Sequence, residues 1–185
     1  MQTPSKRTAK FTGQSIRPTA DRAREALFSI IGREIEGGAV LDLYAGTGAL
    51  GLEALSRAAQ RAVFVDSNPQ AVQLIEKNIK ICGFSHRSLV LKRDLSKGLY
   101  FLGKLLPGLK FSIIFIDPPY RKGLSATMLS EIEKENLLSR DALVVVEDNA
   151  ISELPETTSG LGLVDRRRYG ETGFWFYRRP KQVQE

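Results

Sequence analysis

The sequence predicts one α/β domain whose mostly parallel β-sheet carries helices on both faces. Short apolar segments alternate with amphipathic segments along most of the chain, which is the pattern of parallel strands joined by helical crossovers. A glycine-rich turn follows the first apolar segment, where folds of this class often bind a ligand. At 185 residues the chain suffices for one well-packed domain and is too short for two of ordinary size.

The predicted elements follow one another in a regular order. A first helix runs from Thr19, as its N-cap, to near Gly32, because apolar residues recur there at helical spacing. Two further helices, one from Ala49 to Arg57 and one from Pro69 onward, separate the first three of five strands. These five strands are predicted at residues 39–44, 62–66, 88–92, 111–116 and 142–147.

The pattern changes after the fifth strand. Residues 162–168 and 174–178 are strand-like, and the short turn between them, with glycine at positions 170 and 173, predicts a hairpin. An antiparallel hairpin at the end of a parallel arrangement gives a mixed sheet of seven strands, the last of them antiparallel.

Composition indicates a soluble globular protein, with 42% apolar and 26% charged residues. No apolar run approaches the roughly 18 residues of a membrane span, so we expect a cytoplasmic location. The single cysteine, Cys82, excludes an internal disulfide and is predicted to lie in the core. We expect the domain to occupy residues 17–180, between a flexible basic segment, residues 1–16, and a disordered tail, residues 181–185.

The net charge of +6 is concentrated at the two ends of the chain. Residues 1–24 carry a net +5 and residues 166–185 a net +4, which leaves −3 for the middle. If the fold brings both ends near one cleft, they form a basic rim that binds nucleic-acid phosphates. Otherwise they are ordinary solvated termini.

The first strand leads into a Gly-x-Gly-x-x-Gly turn that begins at Gly46 and continues through Gly48 into a helix. Asp66 lies twenty residues beyond Gly46, at the end of the second strand, where it can accept hydrogen bonds from both ribose hydroxyls. NAD and S-adenosylmethionine both fit this pattern. Asp42 favours S-adenosylmethionine, because its carboxylate would repel a pyrophosphate but suits the cationic end of an amino-acid cofactor. Asp94, after the third strand, could accept from an adenine amino group or be a solvated loop residue.

The fourth strand ends in Asp117, Pro118, Pro119 and Tyr120. An exocyclic amine on a base is a poor nucleophile until acceptors hold its N–H groups and an aromatic ring stacks on the base. The Asp117 carboxylate and the Pro118 carbonyl can be those acceptors, and Tyr120 can be the ring. The alternative is a strand end that proline terminates, with Asp117 as a solvated cap.

Four further features, with the Asp117 turn, give the chain a resemblance to a known family. They are the stretch Arg17 to Phe28 (RPTADRAREALF), Asp42 to Arg57 (DLYAGTGALGLEALSR), Val65-Asp66, and Tyr169 to Thr172 (YGET). The chain resembles the Class I S-adenosylmethionine-dependent methyltransferases, which have a Rossmann-like fold. More narrowly it is similar to the RsmD family, bacterial enzymes that methylate N2 of one guanine in 16S ribosomal RNA. The resemblance covers residues 17–178.

The resemblance implies a residue set for each site. S-adenosylmethionine would be bound by Asp42, Ala45, Gly46, Gly48, Asp66, Ser67, Asn68, Asp94 and Leu95. Asp117, Pro118, Pro119 and Tyr120 would hold the target base and act on its amine. Ribosomal RNA would contact Arg17, Thr19, Arg22, Arg24, Arg167 and Arg168.

We therefore expect a methyltransferase that acts on guanine N2 in small-subunit ribosomal RNA, either naked or within a small-subunit particle. No metal is expected, and the protein is expected to be a monomer. One alternative is amino-methylation of adenine or cytosine in DNA, since Asp-Pro-Pro-Tyr is shared by those enzymes. The other is a catalytically idle RNA-binding protein.

Overall fold

The computed structural model describes residues 18–119 and 123–180, with side chains from Asp21 onward. Arg17, the Thr19 side chain and Tyr120 therefore lie outside the described residues. The strands are β1 (Ala39–Leu43), β2 (Arg61–Asp66), β3 (Ser88–Lys92), β4 (Phe111–Ile116), β5 (Leu138–Asn149), β6 (Gly162–Tyr169) and β7 (Thr172–Arg178). The helices are α1 (Pro18–Ile31), α2 (Ala49–Ser56), α3 (Pro69–Cys82), α4 (Tyr100–Leu105) and α5 (Leu124–Lys134).

All seven strands belong to one sheet, in the order β3-β2-β1-β4-β5-β7-β6. β1 to β5 pair in parallel, and β7 pairs antiparallel with both β5 and β6. The predicted fold class is thus confirmed: a mixed α/β sheet with an antiparallel hairpin at its carboxyl-terminal end.

The order of the strands sets the place of the functional site. The chain runs outward from β1 through β2 to β3, and then returns to lay β4 on the other side of β1. Loops leaving β1 and β4 therefore turn to opposite faces of the sheet and leave a crevice between them, where open α/β sheets bind ligands. Leu43 and Ile116 pair in register at this point, so the segments that follow both strands emerge side by side.

Helices bury both faces of the sheet. One core joins Leu27 and Phe28 of α1 and residues of α2 and α3 to one face of the strands. The other core joins Phe101 and Leu102 of α4 and residues of α5 to the opposite face. Every residue of β1 is buried, as expected for a central parallel strand. No helix in the described part of the chain has both the length and the apolar character that a membrane crossing requires.

The structure corrects several details. The first helix begins at Pro18 instead of after Thr19, because proline suits the first helical position. β5 is twice as long as predicted, since its ends pair with Phe111 of β4 and with Gly173 and Thr172 of β7. Helices α4 and α5 were not located from the sequence. The prediction that Cys82 lies in the core is wrong, because this last residue of α3 faces solvent.

Candidate active site

The loop after β1 is shaped by two glycines in the left-handed region. Gly46 has a φ of 55° and Gly48 a φ of 76°, which residues with a side chain rarely adopt. The Ala45 N–H donates to a β2 carbonyl at 3.1 Å, which draws the loop onto the neighbouring strand. A Cβ on Gly48 would contact Ile75 and Phe64 at 3.4 Å, whereas one on Gly46 would meet only a carbonyl at 3.8 Å. Ile75 and Phe64 therefore pack against the loop at Gly48, whereas the space above Gly46 is open.

Asp66 fastens this loop to the end of β2. Its Oδ2 accepts from the Gly46 N–H at 2.9 Å, and its Oδ1 accepts from the Asn68 N–H at 2.8 Å. Each carboxylate oxygen can accept a second hydrogen bond, so Asp66 retains acceptors for hydroxyl groups. Asn68 also caps α3, since its side chain accepts from the Gln70 N–H at 2.8 Å. Ser67, between the two, is exposed.

Asp42 lies beneath the loop, with only 1% of the residue exposed. Its Oδ2 accepts from the Gly51 N–H of α2 at 2.9 Å. Burial is the main cause that raises its pKa to about 8. The hydrogen bond from Gly51 lowers the pKa, and the negative charges of Asp117 and Asp66 raise it further. Asp42 therefore supports the glycine loop through the Gly51 N–H, and its burial favours the protonated form.

The segment after β3 holds Asp94 and Leu95. Asp94 is exposed and caps a 3-10 helix, accepting from the Ser96 N–H at 3.0 Å and the Ser96 hydroxyl at 2.7 Å. These bonds hold its pKa below the ordinary value. The Leu95 side chain is buried in the core. Nearby, Tyr44 has a φ of 60°, and its hydroxyl is buried without a partner among the described residues. Burial, and then the charge of Asp94, raise the pKa of Tyr44.

The residues predicted for an amine follow β4 at the crevice. Asp117 and Pro119 are exposed, while Pro118 is buried between them. The Asp117 carboxylate opens to solvent on one side and is surrounded by protein on the other. This partial burial, and then the charge of Asp148, raise its pKa to about 6. With a pKa of about 6, Asp117 is mostly ionised at neutral pH, and an ionised carboxylate is a stronger acceptor for N–H groups than a protonated one.

Two carboxyl groups of β5 adjoin Asp117 and were missed by sequence reasoning. Ile116 of β4 pairs with Val146 of β5, so Asp117, which directly follows β4, lies beside Glu147 of β5. Burial raises the pKa of Glu147 to about 8, helped by the charge of Asp117 and opposed by that of Arg24. The sequence held a signal for this residue, because Glu147 ends the fifth predicted strand and the carboxyl ends of parallel strands share one edge.

Asp148 faces the other side of the sheet, where two hydroxyl groups hold it. The Ser125 hydroxyl donates to its Oδ2 at 2.7 Å, and the Ser152 hydroxyl donates to its Oδ1 at 2.9 Å. Ser125 is itself buried at the start of α5. These bonds fix the charge that acts on Asp117.

The arginines predicted for RNA fall into two places. Arg22 and Arg24 lie on α1, where Arg22 is exposed and Arg24 is half-buried. Arg24 forms an ion pair with Asp21 at 2.7 Å, and its positive charge lowers the pKa of Glu147. Arg167 and Arg168 are exposed on β6, three strands from β4, which is about 14 Å along the sheet. Arg167 pairs with Asp165 at 2.9 Å, and Arg168 donates to the Gly170 carbonyl at 3.0 Å. The described residues therefore place one arginine, Arg24, beside the crevice.

The structure itself indicates a fit to S-adenosylmethionine. Space is open above Gly46, and Asp66 retains acceptors at the end of β2. These two features suit a ligand that carries ribose hydroxyls. Asp117 and Pro118, which the sequence predicts to hold an amine, follow the neighbouring strand β4 beside this space.

Comparison with known proteins gives one family match. The model of the family described as conserved hypothetical protein 95 matches residues 3–178. YlbH of Bacillus subtilis, provisionally named as an rRNA methyltransferase, is 36% identical over 167 residues, 90% of each chain. Ribosomal RNA small subunit methyltransferase D of Escherichia coli is 33% identical over 167 residues, 90% of this chain and 81% of that protein.

Solved structures agree with this match. A structure from Escherichia coli, provisionally named methyltransferase YhhF, is 32% identical, with a TM-score of 0.78 over 92% of this chain and 91% of that one. More distant methyltransferases, solved with S-adenosylhomocysteine at 14% to 18% identity, share the fold.

Proposed function

Because the chain belongs to the RsmD family of S-adenosylmethionine-dependent methyltransferases, we propose that it methylates the exocyclic N2 of a guanine in small-subunit ribosomal RNA. The observation that carries this proposal is the position of Asp117, Pro118 and Pro119. They stand at the switch point of the sheet, beside the loop that Asp66 fastens. An acceptor site for an amine next to a nucleoside site is the arrangement that N-methylation of a base requires.

The cofactor is S-adenosylmethionine, which supplies a methyl group made electrophilic by the adjoining sulfonium. Asp66 would bind its ribose hydroxyls, and the glycine loop would let its amino-acid end approach the backbone closely. Asp42 would support that loop from below through Gly51. These residues bind and orient the cofactor and take no part in the chemistry of the amine.

Asp117 acts on the amine. Its ionised carboxylate accepts one N–H of guanine N2, and the Pro118 carbonyl accepts the other, which frees the nitrogen lone pair for attack. The fixed φ of Pro118 and Pro119 keeps both acceptors in place. Methylation turns the NH₂ group into NH–CH₃ and releases one proton. Asp117 can accept that proton and pass it to solvent, to which its carboxylate is open.

Glu147 keeps the charge of the site low. Burial, and then the charge of Asp117, raise the pKa of Glu147 above that of Asp117, so Glu147 holds a proton more readily and the negative charge that faces the amine is mainly that of Asp117. A second carboxylate at this position would repel the first and raise its pKa, which would weaken Asp117 as an acceptor at neutral pH. Arg24 offsets part of this repulsion whenever Glu147 ionises.

The test incubates the protein with methyl-labelled S-adenosylmethionine and three unmodified substrates: small-subunit ribosomal RNA, assembled small-subunit particles and genomic DNA. Digestion and chromatography then identify the labelled nucleoside. We expect N2-methylguanosine from RNA or particles. Label in adenine or cytosine of DNA would favour the alternative amine methyltransferase, and cofactor binding without any transfer would favour an idle RNA-binding protein.

A further inference from the structure

Glu147 and Asp117 lie side by side on one face of the sheet. Side chains alternate between the two faces along a strand. Phe115 of β4 and Val145 of β5 pair with each other and lie in the core that α1 covers, so Asp117 and Glu147, two residues further along, project toward that same face. Neighbouring strands are about 4.8 Å apart, which lets the two carboxyl groups contact atoms along one edge of the same ligand.

The Glu147 carboxyl is open to such a ligand. The residue is half-buried, and its carboxyl forms no hydrogen bond or ion pair with another residue in the described part of the chain. Neither of its oxygens is among the fully buried side-chain atoms that lack a partner in that part of the chain. A ligand in the crevice can therefore reach this carboxyl, unlike the Tyr44 hydroxyl, which is fully buried.

The order of the strands directs a bound base toward Glu147. β1, with the cofactor loop, lies on one side of β4, and β5 lies on the other. A base that presents its amine at Asp117 to a cofactor on the β1 side therefore extends its ring toward β5. The atoms next to the amine on its Watson–Crick edge then face Glu147, and enzymes that act on a base read this edge by hydrogen bonds.

Those atoms distinguish guanine from the other two bases that carry an amine. Beyond its amine, guanine has the N1–H donor and then the O6 acceptor. Adenine has the N1 acceptor followed by a C–H group, and cytosine has two acceptors, N3 and O2. A protonated carboxyl has a carbonyl acceptor beside an O–H donor, so it forms two hydrogen bonds with guanine alone.

The surroundings of Glu147 favour this protonated form. Burial is the main cause that raises its pKa, and the negative charges of Asp117 and Asp42, from the β4 and β1 side, raise it further. Arg24 of α1 is the charged group among the described residues that lowers this pKa. On the other side, Glu147 pairs with the apolar Phe174 of β7. Carboxyl groups this close do not all ionise together, so Glu147 holds its proton more readily than Asp117.

We propose that Glu147 selects guanine by accepting its N1–H with the carbonyl oxygen and donating the carboxyl O–H to its O6. The inference rests on the proposed function, which places the guanine amine at Asp117. With adenine at the site, only one of the two groups of Glu147 would find a partner. With cytosine, an oxygen of Glu147 would also face the O2 acceptor. Glu147 is thus a specificity-determining residue that contacts the base, and Asp117 remains the residue that acts on the amine.

The first arm of the experiment measures single-turnover methylation of small-subunit ribosomal RNA between about pH 7 and 9. Glu147→Leu removes both hydrogen-bonding groups, and we expect a rate about ten- to a hundredfold lower at neutral pH. Glu147→Gln keeps an acceptor beside a donor and cannot ionise. It should recover most of the rate that the leucine variant loses. It should also lack the decline that the native protein shows as the pH rises through about 8 and Glu147 loses its proton. Glu153→Leu and Glu153→Gln, at an exposed position after β5, are the matched controls and should follow the native profile.

The second arm changes the base. 2-Aminopurine keeps the amine of guanine but has an acceptor at N1 and no oxygen at C6. It replaces the target guanine in a synthetic RNA that spans the methylated position. The native protein should methylate it about five- to tenfold more slowly than guanine, because one hydrogen bond to Glu147 is lost. For Glu147→Leu the two rates should be nearly equal, since the partner of N1–H and O6 is already gone.

The outcomes separate the inference from the proposed function. A rate for Glu147→Leu that equals or exceeds the native rate would overturn the inference and leave Glu147 with an electrostatic role alone. Equal discrimination against 2-aminopurine by the native protein and Glu147→Leu would also overturn it, as would a decline above pH 8 that persists in Glu147→Gln. Calorimetric cofactor affinity and melting temperature, measured for both variants, identify a change caused by the fold. A native protein that transfers no methyl group to guanine N2 would refute the proposed function and this inference with it.

Discussion

Asp66 uses both carboxylate oxygens to hold the backbone of Gly46 and Asn68, and it is half-buried at the end of β2. We predict that Asp66→Ala weakens S-adenosylmethionine binding about ten- to a hundredfold, because charge-assisted hydrogen bonds worth roughly 1.5 to 3 kcal/mol are lost. Isothermal calorimetry measures the affinity, and circular dichroism checks the fold. Asp165→Ala, which removes the pair with Arg167 and a hydrogen bond from the Arg166 N–H on β6, away from the cofactor loop, is the control. Preference of the native protein for NADH would refute the cofactor assignment.

The pKa of Asp117 lies at about 6, above its ordinary value of 3.8, because of partial burial and the charge of Asp148. The ionised carboxylate is the stronger acceptor and can take the proton that methylation releases, so methyl transfer should fall as the pH drops through about 6. We predict that Asp148→Asn moves this acid limb to lower pH, since one of the two causes of the shift is removed. Single-turnover rates between pH 5 and 8 test this, with the exposed Glu156→Gln as control. An acid limb that stays in place would show that Asp148 does not act on the reacting carboxyl.

The site residues differ in how far sequence alone could find them. Asp66 and Asp117 were predictable, because Asp66 ends one strongly apolar strand and Asp117 directly follows another. Glu147 was within reach by the same argument. Tyr44 was not, because its positive φ and its buried hydroxyl arise only when the loop folds against the segment after β3.

At the scale of elements, the apolar pattern of the sequence locates the strands, but pairing with neighbouring strands determines how long they are. The pattern located all seven strands: the five inner strands contain runs of buried residues, and the two edge strands, β3 and β6, are partly buried. For β5, the pattern predicted only the apolar middle of the strand. The polar residues at its two ends extend the strand because they pair with β4 and β7. Helix α4 has six residues and buries only Phe101 and Leu102. Two adjacent apolar residues do not show the helical spacing by which a sequence reveals a helix.

The third glycine of the loop sequence fixes how closely α2 packs on β2. A Cβ on Gly51 would lie 2.3 Å from the buried Phe64 ring. We predict that Gly51→Ala destabilises the protein by about 1 to 3 kcal/mol through overpacking. Its melting temperature should fall by about 2 to 4 °C per kcal/mol.

A second glycine supplies the control for this substitution. Gly103 lies in α4, and an added Cβ would meet nothing within 4 Å. Gly103→Ala should therefore stabilise the protein by about 0.4 to 1 kcal/mol, since alanine is the better helix former. Differential scanning calorimetry compares the two variants, and equal melting temperatures would mean that the packing at Gly51 is looser than described.

At the scale of the whole molecule, the net charge of +6 is the term that attracts RNA. We predict that RNA affinity falls steeply between about 50 and 200 mM salt, through counterion release. Arg22→Gln should lower the slope by about 0.7 to 0.9, because Arg22 is exposed and forms no ion pair with a described residue. Glu25→Gln, an exposed neighbour on α1, is the matched control that removes a negative charge. An RNA affinity that does not change with salt would show that the basic residues at the two ends of the chain do not bind RNA phosphates.

The central claim is that Asp117 acts on the amine of the base and not on the cofactor. The most direct test pairs single-turnover methylation of small-subunit ribosomal RNA with calorimetric S-adenosylmethionine affinity for Asp117→Ala. The account predicts a rate lower by about a hundred- to a thousandfold, as for loss of one preorganised electrostatic partner, with cofactor affinity nearly unchanged. Methylation at the native rate would contradict it and leave the Pro118-Pro119 turn as the simple end of a strand.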